Sequence, residues 1–323
     1  MNSEIELDNI IELINKSKKI VVFSHESPDG DAIGSSLALY LGLKSLKKEV
    51  YVVGDKYSRV FDFIECAKDI KSELDGDDFD LAISLDCASK QRLYDPKNLF
   101  DKCKSTIVID HHISNTYYGD YNYVEGKSPA VSQTIVKILR RLNVSLTKEI
   151  GECLMVGIIT DTGGFRYDTV DAETFSIASR MVELGVNISD IYLRVFTLQT
   201  KPQFLLSRIA NSRLEILNKN RVAFTYITME DEKKVHAAEG DHEGIVDIGR
   251  NIEGVEVSIF VRESEKGYKV SLRSNRYVDV SEIAEALGGG GHSRAAGILL
   301  NMSLEDAKKS LLKETYKRLW MEY

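Results

Sequence analysis

Short apolar runs alternate with helical patterns over the first half of the chain. Each run is apolar throughout, and the segments between them repeat apolar residues at helical spacing, as in residues 32–43. Such runs are typical of strands buried on both faces of a mostly parallel sheet. The predicted strands are residues 19–23, 50–53, 81–85 and 106–109. Ligands of such sheets bind beyond the carboxyl ends of the strands.

The second half of the chain changes its rhythm. A helical run begins after Asp171, a suitable N-cap residue, and ends at Gly185. We interpret the polar and apolar helical stretch that follows, residues 189–217, as a linker. Strand patterns at 221–227, 255–262 and 268–273 then alternate with helical ones at 244–251, 281–287 and from 303 onwards. Hairpins beside helices indicate a smaller α+β domain.

Length and composition agree with two domains. A chain of 323 residues exceeds the roughly 100–200 residues of a usual domain. The predicted fold is therefore an α/β domain over residues 1–188, a helical linker over 189–217 and an α+β domain over 218–323. The formal charge of −8 argues against tight binding of long nucleic acids, which requires many Lys and Arg contacts to phosphates.

Targeting signals and disulfide patterns are missing from the sequence. No run approaches the roughly 18 apolar residues of a membrane span, and the acidic start differs from a secretory signal. The four cysteines are far apart, as expected for reduced thiols rather than a disulfide scaffold or a zinc site. We expect a cytoplasmic protein with no membrane contact.

Acidic residues and histidines follow four apolar segments of one predicted sheet layer. A single Asp after a strand is usually a turn residue or a helix cap. Four such clusters are harder to explain in that way, because gathered carboxylates repel one another without a cation. The clusters are His25 with Asp29 and Asp31 after the first strand, Asp86 after 81–85, Asp110-His111-His112 after 106–109, and Asp161 after 154–159.

A pair of divalent cations would offset this repulsion. Mixed imidazole and carboxylate ligands without thiolates favour a metal such as Mn²⁺ over Mg²⁺, Ca²⁺ or structural zinc. Six or so ligands fit two ions better than one. Two ions ~3.5–4 Å apart share a bridging carboxylate and a bridging water and hold a phosphoryl group between them. The pattern predicts hydrolysis of a phosphate ester.

These motifs resemble the DHH phosphoesterases, a family named for the triplet that stands here as Asp110-His111-His112. The resemblance also covers residues 25–35, Asp86 within 85–87, and 157–163 in the first domain. Residues 288–297 resemble the glycine-rich signature of the DHHA1 substrate-binding domain. The five motifs together span nearly the whole chain.

The resemblance implies a role for each residue of these motifs. It assigns His25, Asp29 and Asp86 to one ion and Asp31, His111 and Asp161 to the other. Asp86 would bridge the two ions, and Asp110 would orient an imidazole. His112 would contact the scissile phosphate or steer the leaving oxygen. The alternative for His112 is a packed side chain that only supports the ligands.

In the second domain, four glycines before His292 would let the backbone approach an anion closely. A flexible linker is the plainer alternative. Guanidinium groups suit a terminal phosphate. The expected substrate-binding residues are Arg273, Ser274, Gly290, Gly291, His292 and Arg294.

Within the family, the compact two-domain arrangement resembles the NrnA-type oligoribonucleases. This resemblance implies a Mn²⁺-dependent phosphodiesterase and 3′(2′),5′-bisphosphate nucleotidase. Its substrates would be nanoRNA, pApA and 3′-phosphoadenosine 5′-phosphate (pAp), and two ions would activate a bridging water. The expected assembly is a homodimer. RecJ-type exonucleases would be longer, and a related pyrophosphatase would lack the glycine-rich segment.

Two other functions stay open. A stand-alone cyclic-di-AMP phosphodiesterase would use the same two domains, so the motifs do not separate it from an oligoribonuclease. A nucleotide-binding sensor without catalysis belongs to a different class, and the presence of every expected ligand weighs against it.

Overall fold

The computed structural model describes residues 3–76, 78–238 and 240–319, except for the side chains of Ser3 and His292. Contacts between residues divide it into two compact units, Met1–Leu198 and Gln199–Tyr323. Within the described residues, no helix is both long enough and apolar enough to cross a lipid bilayer.

The first unit is built on a six-stranded parallel sheet. Its strands are β1 (Lys19–Phe23), β2 (Glu49–Val53), β3 (Ile70–Lys71), β4 (Leu81–Leu85), β5 (Ser105–Asp110) and β6 (Tyr121–Val124). They lie in the order β3-β2-β1-β4-β5-β6, and every neighbouring pair is parallel. The predicted α/β fold with a mostly parallel sheet is confirmed.

Helices and loops cover both faces of this sheet. Ile20 and Val22 of β1 pack into the larger core with the helices, whereas Val21 and Phe23 pack into a smaller core on the other face. This alternation buries nearly every residue of the central strands, which explains their continuous apolar character. The helices are α1 (Ser3–Lys16), α2 (Gly30–Ser45), α3 (Val131–Arg141), α4 (Lys148–Asp161), α5 (Ala172–Glu183) and α6 (Ile188–Tyr192).

The apolar segment 154–159 lies in a helix, although the sequence pattern places it in the sheet layer. It forms the buried middle of α4, which begins where the Thr147 hydroxyl accepts a hydrogen bond from the amide of Ile150. A short apolar run does not distinguish a strand from a helix that is buried on all sides. The expectation that this segment belongs to the sheet layer is therefore wrong, and Asp161 is the last residue of a helix.

The second unit contains a mixed six-stranded sheet, in the order β11-β12-β10-β9-β8-β7. Its strands are β7 (Glu215–Leu217), β8 (Val222–Ile227), β9 (Val257–Ser264), β10 (Gly267–Ser274), β11 (Gly290–His292) and β12 (Ala295–Leu300). Its helices are α7 (Lys201–Ser212), α8 (Met229–Val235), α9 (Ile245–Arg250), α10 (Val280–Ala286) and α11 (Leu304–Arg318). The smaller α+β domain expected from the hairpin pattern is confirmed.

The segment between the two folds, residues 189–217, is not one continuous helix. After α6 the chain makes a π-helical turn over Leu193–Thr197 and becomes extended at Leu198. Helix α7 begins with a capping box, in which Thr200 and Gln203 exchange hydrogen bonds between side chain and backbone. The last residues of the segment form β7 and pair with β8 in the second sheet.

Close contact between α2 and α4 fixes the two helices that carry acidic residues of the first unit. An ideal Cβ on Gly34 of α2 would lie 2.4 Å from the carbonyl oxygen of Cys153 and 2.8 Å from the amide nitrogen of Gly157. Both are backbone atoms, so no rotation of a side chain relieves the overlap. The two helices lie this close because Gly34 has no side chain.

We predict that Gly34→Ala destabilises the first unit. Overpacking of this kind costs about 1–3 kcal/mol, more than the gain of about 1 kcal/mol that alanine brings to a helix. Urea unfolding followed by circular dichroism measures the loss. Gly42→Ala is the matched control, because a Cβ there meets only the end of the Leu139 side chain. Equal stability of the two variants would contradict the prediction.

Candidate metal centre

The acidic residues and histidines meet at the carboxyl edge of the parallel sheet. β1 and β4 are neighbours there, with β2 on the outer side of one and β5 on the outer side of the other. Open α/β sheets bind ligands in the crevice beyond such a pair. His25 lies two residues past β1, Asp86 directly follows β4, and Asp110 is the last residue of β5.

His25 and Asp29 form one side of this crevice. The Nδ1 atom of His25 donates a hydrogen bond to the carbonyl oxygen of Glu26 at 2.8 Å, so Nε2 is the ring nitrogen that faces the carboxylates. Nε2 lies 3.9 Å from Asp29 Oδ2. The other oxygen of Asp29 caps α2 by accepting from the amides of Asp31 and Ala32. Asp29 therefore serves the helix with one oxygen and faces His25 with the other.

Asp31 is held from a different helix. Its two carboxylate oxygens accept hydrogen bonds from the amides of Val131 and Ser132, at 2.5 and 2.9 Å. Those amides begin α3, whose own N-cap residue, Ala130, has no side chain that could accept them. Asp31 thus caps α3 although it lies 100 residues away in the sequence. Burial raises the pKa of this carboxyl.

Gly157 of α4 provides the space that Asp31 needs. An ideal Cβ at this position would lie 2.4 Å from Asp31 Oδ1 and 2.0 Å from the Ser132 hydroxyl. Because the Ser132 hydroxyl is also buried, neither group has room to move aside. Sequence reasoning includes Gly157 in a motif but gives it no role, and the cap on α3 has a signal only in the missing polar residue at Ala130.

His111 and Asp161 lie opposite His25 and Asp29. His111 Nδ1 donates to the carbonyl oxygen of Ser128 at 2.9 Å, and its Nε2 lies 3.3 Å from Asp161 Oδ2. Burial, reinforced by the charge of Asp31, raises the pKa of Asp161 to about 8. Burial acts to lower the pKa of His111, but the charges of Asp31 and Asp161 outweigh it and raise that pKa.

Asp86 lies between the two sides. Its Oδ2 is 4.0 Å from His25 Nε2, and its Oδ1 is 3.6 Å from His111 Nε2. The side chain is only 3% exposed, and Oδ1 is buried without a hydrogen-bond donor. Burial and the neighbouring carboxylates raise the pKa of Asp86 well above its ordinary value. A buried carboxylate oxygen without a donor is costly unless a cation approaches it.

The residues therefore fit divalent cations. Two groups of three side chains, each with one imidazole and two carboxylates, have donor atoms within 4.8 Å of one another. A third group under the same limit joins Asp86 to His111 and His112. Nitrogen and oxygen donors without thiolate suit a first-row transition metal. The two groups are His25 with Asp29 and Asp86, and Asp31 with His111 and Asp161.

Asp110 orients His112. Its Oδ1 accepts a hydrogen bond from His112 Nδ1 at 2.7 Å, and its Oδ2 accepts one from the side-chain amide nitrogen, Nδ2, of Asn115 at 2.6 Å. Burial acts to raise the pKa of Asp110, but these hydrogen bonds and the charge of His112 outweigh it and hold the pKa below its ordinary value. Asn115 is buried and was missed by sequence reasoning, because a single Asn in a loop has no distinguishing pattern.

The glycine run of the second unit has steric causes of its own. Gly288 follows the C-cap residue of α10 and has a φ of +82°. An ideal Cβ on Gly289 would lie 2.3 Å from the carbonyl oxygen of Gly297, and one on Gly291 2.5 Å from the Cα of Ala296. Strands β11 and β12 therefore require these glycines. Gly288 and Gly290 are the two glycines of the run that have open space where a Cβ would stand.

The other expected substrate-binding residues also have partners within their own unit. Arg294 donates to the carbonyl oxygens of Val278 and Arg276, which fixes the loop before α10. Arg273 donates to the carbonyl oxygen of Leu272. Ser274 is 1% exposed and donates to the carbonyl oxygen of Ser293. The side chain of His292 lies outside the described part of the chain.

Protein-family models match both units. Residues 19–158 match the model of the DHH family, N-terminal domain, and residues 219–320 match that of the DHHA1 domain. The first match contains five of the six expected metal ligands. The sixth, Asp161, lies three residues beyond its end.

Relatives and solved structures agree with these matches. A Thermus thermophilus protein named bifunctional oligoribonuclease and PAP phosphatase NrnA is 33% identical over 93% of this chain and 90% of its own. A crystal structure of an exopolyphosphatase-related protein from Bacteroides fragilis superposes with a TM-score of 0.90, at 28% identity over 97% of this chain and 96% of that chain.

A third similarity shows the fold alone. The structure of RecJ from Thermus thermophilus in complex with Mn²⁺ covers 97% of this chain and 54% of that chain, with a TM-score of 0.54 at 16% identity. Both family models, in this order along the chain, and a relative above 30% identity over nearly its full length lead to one conclusion. This chain belongs to the DHH family and carries its DHHA1 domain.

Proposed function

We propose that this phosphoesterase hydrolyses short oligoribonucleotides to mononucleotides and removes a phosphate from pAp, with two divalent ions at the candidate metal centre. The position of Asp86 carries the proposal, because this buried carboxylate, whose Oδ1 has no hydrogen-bond donor, faces both His25 and His111. The name of the Thermus relative supports the choice of substrates.

Each side chain of the centre has a distinct task in this proposal. His25 and Asp29 would hold one ion, Asp31, His111 and Asp161 would hold the other, and Asp86 would serve both. The carbonyl groups bonded to the two Nδ1 atoms fix each imidazole with Nε2 towards the carboxylates. Bound divalent ions polarise phosphoryl oxygens and lower the pKa of a bound water. We expect Mn²⁺, since imidazole and carboxylate donors are mixed.

His112 is proposed to handle a proton rather than an ion. Asp110 occupies its Nδ1, so only Nε2 is available to a ligand. A protonated His112 would donate from Nε2 to the oxygen that leaves the phosphorus. Asn115 donates to the second oxygen of Asp110 and so fixes the orientation of Asp110 towards His112. His112 also belongs to a possible ligand group with Asp86 and His111, which makes its role open to test.

We assign substrate binding in the second unit to the segment around Gly290. This glycine leaves open space beside an exposed stretch of backbone. Amides there can approach an anion without a side chain between them. Arg294 is proposed to position this segment through the loop at 276–278 rather than to bind phosphate with its whole guanidinium group.

A panel of four substrates tests the proposed function. The purified protein with Mn²⁺ is incubated with pApA, a five-nucleotide RNA, pAp and cyclic-di-AMP, and products are separated by chromatography. We expect rapid loss of the first three and an unchanged cyclic dinucleotide. Asp86→Asn should lower every rate by at least about 10³-fold, because one ligand serves both ions. Asp62→Asn, an exposed change in the same unit, is the control.

Other outcomes of this panel contradict the proposal in different ways. Fast opening of cyclic-di-AMP would indicate a cyclic-dinucleotide phosphodiesterase. No reaction with any substrate would favour a nucleotide-binding sensor. A near-normal rate for Asp86→Asn would remove the assignment of Asp86 as a shared ligand.

The raised carboxyl pKa values predict how metal-free stability depends on pH. An unfolded Asp has a pKa near 3.9, whereas that of Asp161 is about 8 in the folded protein. The folded state therefore binds more protons between these values, and stability falls as pH rises from about 4 to 8. Differential scanning calorimetry in EDTA should show Tm decreasing over this range.

Asp86→Asn tests the same repulsion. Without metal at pH 8 its Tm should exceed that of the wild type by several degrees, because burial and the neighbouring carboxylates disfavour an ionised Asp86, whereas the Asn amide carries no charge at any pH. Mn²⁺ should raise the Tm of the wild type and of Asp62→Asn, and hardly that of Asp86→Asn. A wild-type Tm that rises with pH in EDTA would refute the proposed carboxylate repulsion.

His112→Ala tests the proton-transfer role. We expect kcat with pApA to fall by about 10²–10³-fold, whereas the Mn²⁺-induced rise in Tm stays close to that of the wild type. Asn115→Ala should give a smaller fall in kcat and a changed pH profile, because Asp110 loses one donor. Loss of the Mn²⁺ effect in His112→Ala would instead identify His112 as a metal ligand.

A further inference from the structure

Two cysteines of the first unit lie side by side, away from the candidate metal centre. The Sγ atoms of Cys66 and Cys153 are 3.8 Å apart, although the residues are 87 positions apart in the sequence. Cys66 belongs to a short 3-10 helix over Glu65–Asp69, and Cys153 belongs to α4. The other two cysteines, Cys87 and Cys103, are buried in the opposite core of the sheet.

A cavity of about 430 Å³ leads to this pair from the surface. Cys66 is partly exposed, whereas Cys153 is 1% exposed. A small polar reagent entering the cavity therefore meets Cys66 first. The lining includes Phe63, Cys66, Lys68, Lys148, Glu152 and Cys153.

We propose that Cys66 and Cys153 form a reversible disulfide when the protein meets a hydroperoxide. The Cys66 thiolate attacks one oxygen of the peroxide, the O–O bond breaks, and Cys66 becomes a sulfenic acid as the other oxygen leaves as hydroxide. The Cys153 sulfur then attacks the Cys66 sulfur. The S–O bond of the sulfenic acid breaks, and its hydroxide leaves as water with the proton of Cys153. The proton that Cys66 released on ionisation converts the first hydroxide to water, so two thiols lose two electrons and one hydrogen peroxide becomes two waters.

The environment of the two thiols distinguishes attacker from partner. A hydrogen bond from Cys153 lowers the pKa of Cys66, although burial acts against it. The same hydrogen bond and burial raise the pKa of Cys153 well above its ordinary value. Redox-sensitive cysteines are typically accessible, of low pKa, and close to a second cysteine that resolves the sulfenic acid.

The disulfide forms by movement of segment 65–69, which we call the rim of the cavity, rather than by movement of α4. The sulfurs must approach from 3.8 Å to about 2.05 Å. The carbonyl of Cys153 already lies against Gly34, so α4 has no space in which to shift along that contact. The segment 65–69 lies at the surface, with Glu65 and Lys68 exposed, and it can move instead. The disulfide then fastens this segment to α4 and leaves the candidate metal centre undisturbed.

Treatment of the reduced full-length protein with hydrogen peroxide tests the proposal. We expect the intact mass to fall by two hydrogens, a Cys66–Cys153 peptide on mapping, and reversal by dithiothreitol. Closing a loop this long should raise Tm by about 5 °C or more. The rate with pApA should stay within about twofold, since α4 does not move.

Variants separate the possible outcomes. Cys66→Ser should block the cross-link, Cys153→Ala should leave Cys66 to gain oxygen atoms, and Cys103→Ala should behave as the wild type. A cross-link to Cys87 or Cys103, a disulfide-linked dimer, or oxygen addition without loss of hydrogen would overturn the proposal. Loss of hydrolysis on cross-linking would overturn the assignment of movement to the rim. The mass and Tm measurements do not depend on the proposed enzymatic activity.

Discussion

Asp31 joins the fold and the candidate site in a single interaction. Its carboxylate completes the start of α3, which has no polar cap residue of its own, and the same carboxylate faces His111. The interaction exists only because Gly157 leaves the space and because Gly34 lets α2 and α4 approach. The packing of α2, α3 and α4 and the placement of Asp31 therefore depend on each other, and a change to one alters the other.

Most of the site could be predicted because parallel strands end at one edge of a sheet. His25, Asp86 and Asp110 each follow an apolar run that a simple pattern identifies. Their neighbours in the motifs come with them along the chain. Asp161 reaches the same place from the end of a helix, which shows that a cluster of ligand types is a stronger signal than the type of element that carries it.

Other features depend on contacts that no local pattern contains. The donor that Asn115 provides to Asp110 becomes visible only when a loop is folded back on the strand end. The glycine run of the second unit is a different case, since its sequence suggests an anion cradle but Gly289 and Gly291 are required by the pairing of two strands. Sequence reasoning singles out this segment but does not separate a steric requirement from a binding one.

The two duties of Asp31 matter for genetics. An allele that removes Asp31 would disturb α3 as well as the candidate site, so its phenotype would mix the loss of a protein with the loss of an activity. Asp86 has no such second duty, because its Oδ1 accepts no hydrogen bond from the fold. A chromosomal Asp86→Asn allele would accordingly leave the cap on α3 intact, and the phenotype of such a strain would report on the candidate site alone.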